Sequence, residues 1–145
     1  MRKIFICVTI IMALCVPAAA EVQTVGNLTA DIPAGWSAEQ QGSVTVIKSI
    51  TRNASVAVAV NPLGEASLTD IAEQLYIQMS GSNLEQDSDG DYTFTYTSTS
   101  GAKGLAILTD SGEGRYILIS VSGYGNSESV NDEIDAIVDS LEWND

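Results

Sequence analysis

The chain has 145 residues, contains no histidine, and carries nineteen acidic residues against six basic ones. Its formal charge of −13 repels phosphate backbones and anionic lipids, so we expect no nucleic-acid partner and no binding to a membrane surface. Histidine is the usual general base near neutral pH, and its absence excludes Ser-His-Asp and Cys-His catalysis and most zinc and copper sites.

The first twenty residues have the pattern of a secretory signal peptide. Arg2 and Lys3 form a positive start, Ile4 to Val16 is apolar, and Ala18-Ala19-Ala20 supplies the small residues before a cleavage site. The apolar run is short for a bilayer span, which disfavours the alternative of an uncleaved anchor. We therefore expect a periplasmic or secreted protein, without membrane insertion after cleavage, that consists of one domain over residues 21–145.

Cleavage also changes the chemistry that remains. Cys7 and Cys15 leave with the signal peptide, so the mature chain has no disulfide, thiol nucleophile or thiolate metal site. Four basic residues remain against nineteen acidic ones, which gives a formal charge of −15. Such a surface favours cationic partners or divalent ions, although an acidic surface often serves only solubility.

The first part of the domain is predicted to consist of short strands. Leu28 to Ile32 forms a strand that ends at the turn signal Pro33-Ala34-Gly35. Val44 to Ile50 alternates, and the pattern places Val44, Val46 and Ile50 on one face.

The next strand, Ser55 to Val60, is apolar on both of its faces. Its valines point to one side, and Ala57 and Ala59 point to the other. This pattern predicts a central strand that is covered on both sides. The small alanines would allow a helix to approach closely.

A first helix is predicted from Leu68 to Met79. Ser67 is a suitable N-cap, Asp70 completes an acidic version of the capping box, and Gly81 suits the C′ position. The apolar residues recur at helical spacing and form one stripe: Leu68, Ile71, Ala72, Leu75 and Met79.

The stretch DSDGDYTFTYTS, residues 87–98, raises the question of a calcium loop. Asp87, Asp89 and Asp91 occupy ligand positions of such a loop, but Tyr92 replaces its glycine and Ser98 its closing glutamate. A hairpin explains the stretch better: one strand over 83–87, a turn at Ser88-Asp89-Gly90, and a return strand over 91–98. We therefore predict no metal site here, beyond weak and unspecific binding of calcium.

Three strands and a second helix complete the domain. Tyr92 to Ser98, Lys103 to Thr109 and Arg115 to Ser122 are joined by short glycine-containing connections, which predicts an antiparallel meander. The last helix spans Glu128 to Glu142, and its apolar stripe consists of Val130, Ile134, Ile137, Val138 and Leu141. We predict an α+β fold, with a mainly antiparallel sheet and two helices packed on it; the alternative is a mixed sheet with both helices on one face.

The sequence resembles the DcrB and Mog1/PsbP-like group from about Val25 to Trp143. The resemblance lies in Ile32-Pro33-Ala34-Gly35-Trp36, similar to an "IP-x-GW" opening, in Asp91-Tyr92-Thr93-Phe94, and in Ile137-Val138-Asp139-Ser140-Leu141. It implies an α/β/α sandwich around an antiparallel sheet. The group contains binding and assembly factors of varied role, so the resemblance implies no particular activity and no set of site residues.

No catalytic, cofactor-binding or metal-binding residues can be assigned from the sequence. We therefore expect a non-catalytic exported protein without a cofactor, which binds a protein partner or another component of the cell envelope. The alternative is a hydrolase that uses carboxylates alone, which would require a pocket with two facing carboxylates, one with a raised pKa.

Overall fold

The structure is a computed structural model that describes residues 20–144. The predicted signal peptide therefore lies, apart from Ala20, outside the described residues, as does Asp145. The described part contains ten strands and two helices. The strands are β1 (Glu21–Val25), β2 (Leu28–Ile32), β3 (Ser37–Gln41), β4 (Val44–Ser49), β5 (Ala54–Pro62), β6 (Ser82–Gln86), β7 (Tyr92–Thr97), β8 (Lys103–Gly112), β9 (Arg115–Ser122) and β10 (Glu142–Trp143); the helices are α1 (Leu68–Gln78) and α2 (Glu128–Ser140).

Two antiparallel sheets organise these elements. The large sheet has seven strands in the order β3-β4-β5-β9-β8-β7-β6, and the small sheet has three in the order β1-β2-β10. The meander predicted for β7, β8 and β9 is confirmed, since each of these strands pairs with the next. No helix within residues 20–144 has the length and apolarity needed to cross a bilayer.

The two helices pack on opposite faces of the large sheet, each with its own core. On the α1 face, Ala72 of α1 packs with buried residues of β7, β8 and β9, among them Phe94 and Leu108. On the α2 face, Ile134 and Ile137 join a larger cluster that includes residues of β4, β5 and the small sheet. This arrangement confirms the α+β prediction and the implied α/β/α sandwich, and it excludes the version with both helices on one face.

The start of α1 confirms the predicted cap, whereas its end differs from the prediction. Ser67 and Asp70 form the reciprocal capping box. At the other end, Ser80 and not Gly81 takes the left-handed C′ conformation, with φ 51°. The amide of Ser80 donates to the carbonyl of Ile77 and that of Gly81 to the carbonyl of Tyr76, so the helix ends in a Schellman motif. Gly81 is required for space, because a Cβ there would lie 2.7 Å from the rings of Phe94 and Tyr76.

The two faces of β4 differ in burial. Thr45, Ile47 and Ser49 are buried, while Val44 and Val46 are half-buried. Ile50 lies beyond the strand and is 88% exposed. Val44 and Val46 thus share one face, as predicted, but Ile50 does not extend that face, and the buried face carries two hydroxyl side chains beside Ile47.

Candidate functional site

Each helix covers only one end of the large sheet, and the two ends differ. α1 packs on β7 and β8, whereas α2 packs on β5 and on β2 of the small sheet. The α1 face over β4 and β5 is therefore not covered by α1. The α2 face over β7 likewise remains accessible, since Thr95 and Thr97 are exposed.

The uncovered part of the α1 face carries four small apolar residues, which we call the valine–alanine patch: Val44, Val46, Ala57 and Ala59. Strand pairing places Val44 opposite Ala59 and Val46 opposite Ala57. All four are half-buried, and none packs into either core cluster. Within residues 20–144, the alanines predicted to receive a helix thus remain without one.

The borders of the patch are chemically different. On one side, β9 places Leu118 opposite Ala59, and Leu118 already packs against the α1 core. On the other side, the outermost strand β3 places Glu39 opposite Val46. A hydrogen bond from Lys48, together with one from Gln41, lowers the pKa of Glu39, so this border carries an ion pair between Glu39 and Lys48 at neutral pH.

A cavity of about 430 Å³ lies at the other end of the sheet, between β6, β7, β8 and the loop after β9. We call it the hydroxyl cavity, because most of its polar side chains are hydroxyls: Ser80, Ser82, Thr95, Thr97, Tyr96 and Tyr124. Lys103 is the one charged residue in its lining, and neither this cavity nor a smaller one of about 310 Å³ beside the β4–β5 turn is lined by Asp or Glu. The two facing carboxylates of the hydrolase alternative are therefore found in neither cavity.

Lys103 differs from the other basic residues between 20 and 144. Three ion pairs engage those residues: Lys48 with Glu39, Arg52 with Glu133, and Arg115 with Glu113. Lys103 is exposed and has no acidic partner within the part of the chain that the structure describes.

The aspartates of the DSDG stretch form a turn, and the predicted hairpin is confirmed. β6 pairs with β7, and the amides of Asp89 and Asp91 donate to the Oδ1 atom of Asp87 over 2.9 and 3.0 Å. Gly90 takes a φ of 89°, which a residue with a side chain rarely adopts. The side chain of Asp87 thus accepts hydrogen bonds from the backbone of its own turn. Within residues 20–144, no three acidic, histidine or cysteine side chains are grouped closely enough to hold a metal ion.

Glu133 on α2 forms a hydrogen bond and an ion pair with residues of two loops. Glu133 accepts a hydrogen bond of 2.5 Å from the indole nitrogen of the buried Trp36, and its other oxygen lies 3.0 Å from Arg52. Arg52 also donates to Ser129 on the same helix. This network fastens α2 to the β2–β3 connection and to the β4–β5 turn. Trp36 is buried, whereas Trp143 is half-buried.

The sequence did not identify the patch or the cavity. The signal for the patch was present in the two-sided apolarity of β5, but that pattern cannot tell a face covered by this chain from one left open. The cavity combines four separate segments, and its hydroxyl residues are common in exposed strands and turns, so no local pattern marks it.

Comparison with known proteins identifies the fold. The solution structure of cyanobacterial PsbP (CyanoP) from Synechocystis sp. PCC 6803 shares 17% identity and a TM-score of 0.60, and the match covers 91% of this chain and 98% of that one. A crystal structure of a protein from Bacteroides thetaiotaomicron VPI-5482 shares 14% identity and a TM-score of 0.50, over 88% of this chain and 49% of that one. No protein-family model and no curated protein matches the sequence, so the likeness to the DcrB group stays a prediction. The chain has the Mog1/PsbP-type fold.

Proposed function

We propose that the chain is an exported, non-catalytic accessory protein that binds another protein of the cell envelope through the valine–alanine patch. The observation that carries this proposal is the patch itself. Four apolar residues lie side by side on two interior strands, and they contribute to neither core. Contiguous apolar surface that a chain leaves uncovered commonly marks an interaction site.

The shape of the patch favours a helix as the element that binds it. Ala57 and Ala59 end at their Cβ atoms, so the backbone of a partner helix could come close to the sheet. Val44 and Val46 form a low ridge beside them, against which the apolar stripe of an amphipathic helix would pack.

The negative charge of this protein predicts which charge the partner helix should carry. The chain without residues 1–20 has a formal charge of −15, whereas Glu39 at the border of the patch is paired with Lys48. A partner helix with basic residues beside its apolar stripe would be attracted during the encounter, whereas an acidic helix would be repelled. Binding should therefore weaken as the salt concentration rises.

Export and family membership are further parts of the proposal. The pattern of residues 1–20 supports cleavage after Ala20, which would place the start of the mature chain at Glu21, the first residue of β1. We assign the remainder, residues 21–145, to a single periplasmic or secreted domain, and the Ile32-to-Trp36 motif supports a place within the DcrB group.

Site-specific cross-linking tests the proposed function. A photo-reactive amino acid would replace Ala59 in the full-length protein in its native cells, and Ile77 in a matched control. Ile77 is also apolar and is 74% exposed, but it lies on α1, away from the patch. We expect one envelope protein to be cross-linked from position 59 and not from position 77, and the exported protein to have the mass of residues 21–145.

Affinity for the identified partner then gives the second readout. Ala59→Arg should weaken binding by about tenfold or more, because a bulky cation would block a basic helix, whereas Ile77→Arg should leave the dissociation constant unchanged. Equal cross-linking from both positions, no cross-link from either, or an Ala59→Arg variant that is folded and binds normally would overturn the proposal.

A further inference from the structure

The geometry points to a second binding site, and we propose that the hydroxyl cavity binds a hydroxylated carboxylate of the size of one sugar-acid unit. The site is independent of the proposed protein partner, because the patch lies over β4 and β5 and the cavity over β7 and β8. Its volume of about 430 Å³ falls within the range of small-molecule pockets, roughly 300–1,000 Å³.

The first argument is the supply of unused hydrogen-bonding groups. Within residues 20–144, the hydroxyls of Ser80, Ser82 and Thr97 make no hydrogen bond to the protein, whereas Thr95 donates to the carbonyl of Ser82. Hydroxyls both donate and accept, so they match ligand groups that do the same. Several free hydroxyls around one cavity thus favour a polyhydroxylated ligand over an apolar one.

The second argument is the sign of the charge. Nineteen acidic residues surround the protein, yet the lining of this cavity contains none and includes an ammonium group without an acidic partner. A carboxylate on the ligand would form a charge-assisted hydrogen bond with Lys103, which is roughly twice as strong as one between neutral groups. Because Lys103 is a single cation without an acidic partner within residues 20–144, the cavity suits a ligand with a single negative charge.

A doubly charged phosphate fits this cavity less well. It would bring a second charge that no residue in the lining neutralises, and the net charge of the chain would repel it more strongly than a monoanion. Arginine, which recognises phosphate with two parallel hydrogen bonds, is also absent from the lining.

Tyr124 and Leu105 contribute apolar surface to the cavity lining. The ring of Tyr124 is half-buried, and partial burial, with the negative charge of its hydrogen-bond partner Asp135, raises the pKa of the phenol. Tyr124 therefore stays neutral at physiological pH, and Asp135, which accepts from its hydroxyl, is not part of the cavity lining. The ring face of Tyr124 suits the C–H groups of a sugar ring, and its oxygen can still accept a hydrogen bond.

Titration with three small probes tests this inference. D-glucuronate carries both hydroxyls and a carboxylate, D-glucose lacks the carboxylate, and acetate lacks the hydroxyls. Binding would be followed by amide chemical shifts of the mature protein at constant ionic strength. We expect glucuronate to shift the amides of Thr97, Lys103 and Tyr124 and to bind about tenfold more tightly than either glucose or acetate.

Two lysine variants separate the site from general charge. Lys103→Gln should remove the preference for glucuronate over glucose, whereas Lys48→Gln, which removes a lysine paired with Glu39 outside this cavity, should keep it. Both lysines are on the surface, and unchanged melting temperatures would verify the fold. Equal affinity for the three probes, shifts outside the cavity, or an unchanged preference in Lys103→Gln would overturn the inference.

Discussion

Ile134 lies in the packed core between α2 and the large sheet, where a change of side chain should lower the stability of the protein. It is 1% exposed and packs in the α2 core with Ile47 and Val56 of the large sheet. Shortening it to alanine would remove buried methyl groups and leave a cavity, because the strands beneath cannot collapse into the space.

We therefore predict that Ile134→Ala lowers the free energy of unfolding by about 2–5 kcal/mol, and that Ile134→Asp does not fold because it buries an unpaired charge. Ile77→Ala on α1 is the matched control, with a change within about 0.5 kcal/mol, since Ile77 is exposed. Urea unfolding followed by circular dichroism would measure both. A cooperative transition of wild-type stability in Ile134→Asp would contradict the assignment of this core.

Among the elements, the β6–β7 hairpin allows a test of the calcium question. Its turn depends on the carboxylate of Asp87, whose Oδ1 atom accepts two backbone hydrogen bonds. We predict that Asp87→Ala lowers stability by about 1 kcal/mol, whereas Asp87→Asn, which keeps an acceptor oxygen, costs less.

Calcium should bind no more tightly than about millimolar, in the range of weak extracellular sites. Thermal unfolding in calcium chloride and in sodium chloride of matched ionic strength would measure this. A micromolar dissociation constant that disappears in the Asp87→Asn, Asp89→Asn double variant would show that the aspartates form a true calcium site.

Helices and strands were easiest to predict where many of their residues form one repeated apolar pattern. Both helices were predicted within about two residues at each end, because a stripe repeated over several turns and a capping serine give independent signals. β1 and β3 were missed, since most of their residues are exposed and polar. β10 has only two residues, and its pairing with β2 depends on contacts distant in sequence.

The same reasoning explains what could be predicted of the site. That β5 has two apolar faces follows from its sequence, and the structure confirms its interior position between β4 and β9. Which face is covered depends on where α1 docks, and that is decided by the fit of Ala72 and Phe94 at the far end of the sheet. Sequence periodicity carries no information about that choice.

At the scale of the whole molecule, charge is the dominant feature. With a formal charge of −15 on residues 21–145, like-charge repulsion opposes the compact state. We predict that the melting temperature rises by a few degrees between low and physiological ionic strength, which corresponds to about 1 kcal/mol of screened repulsion.

A variant with Asp132→Asn and Asp139→Asn is the control, since both residues are exposed on α2 and their removal should reduce the slope. Differential scanning calorimetry in sodium chloride would measure the slope for both proteins. A melting temperature that falls as salt is added would mean that the surface ion pairs outweigh the repulsion.

The placement of the two helices at opposite ends of the sheet also has a consequence for motion. Each helix has its own core, and strands β8 and β9 contribute side chains to both cores, one on each face. α1 buries one residue fully, whereas α2 buries three. We therefore expect α1 to detach from the sheet at a lower free energy than α2, which hydrogen exchange of the helix amides would measure. A partner bound at the patch and a ligand bound in the cavity would then stabilise different halves of one sheet.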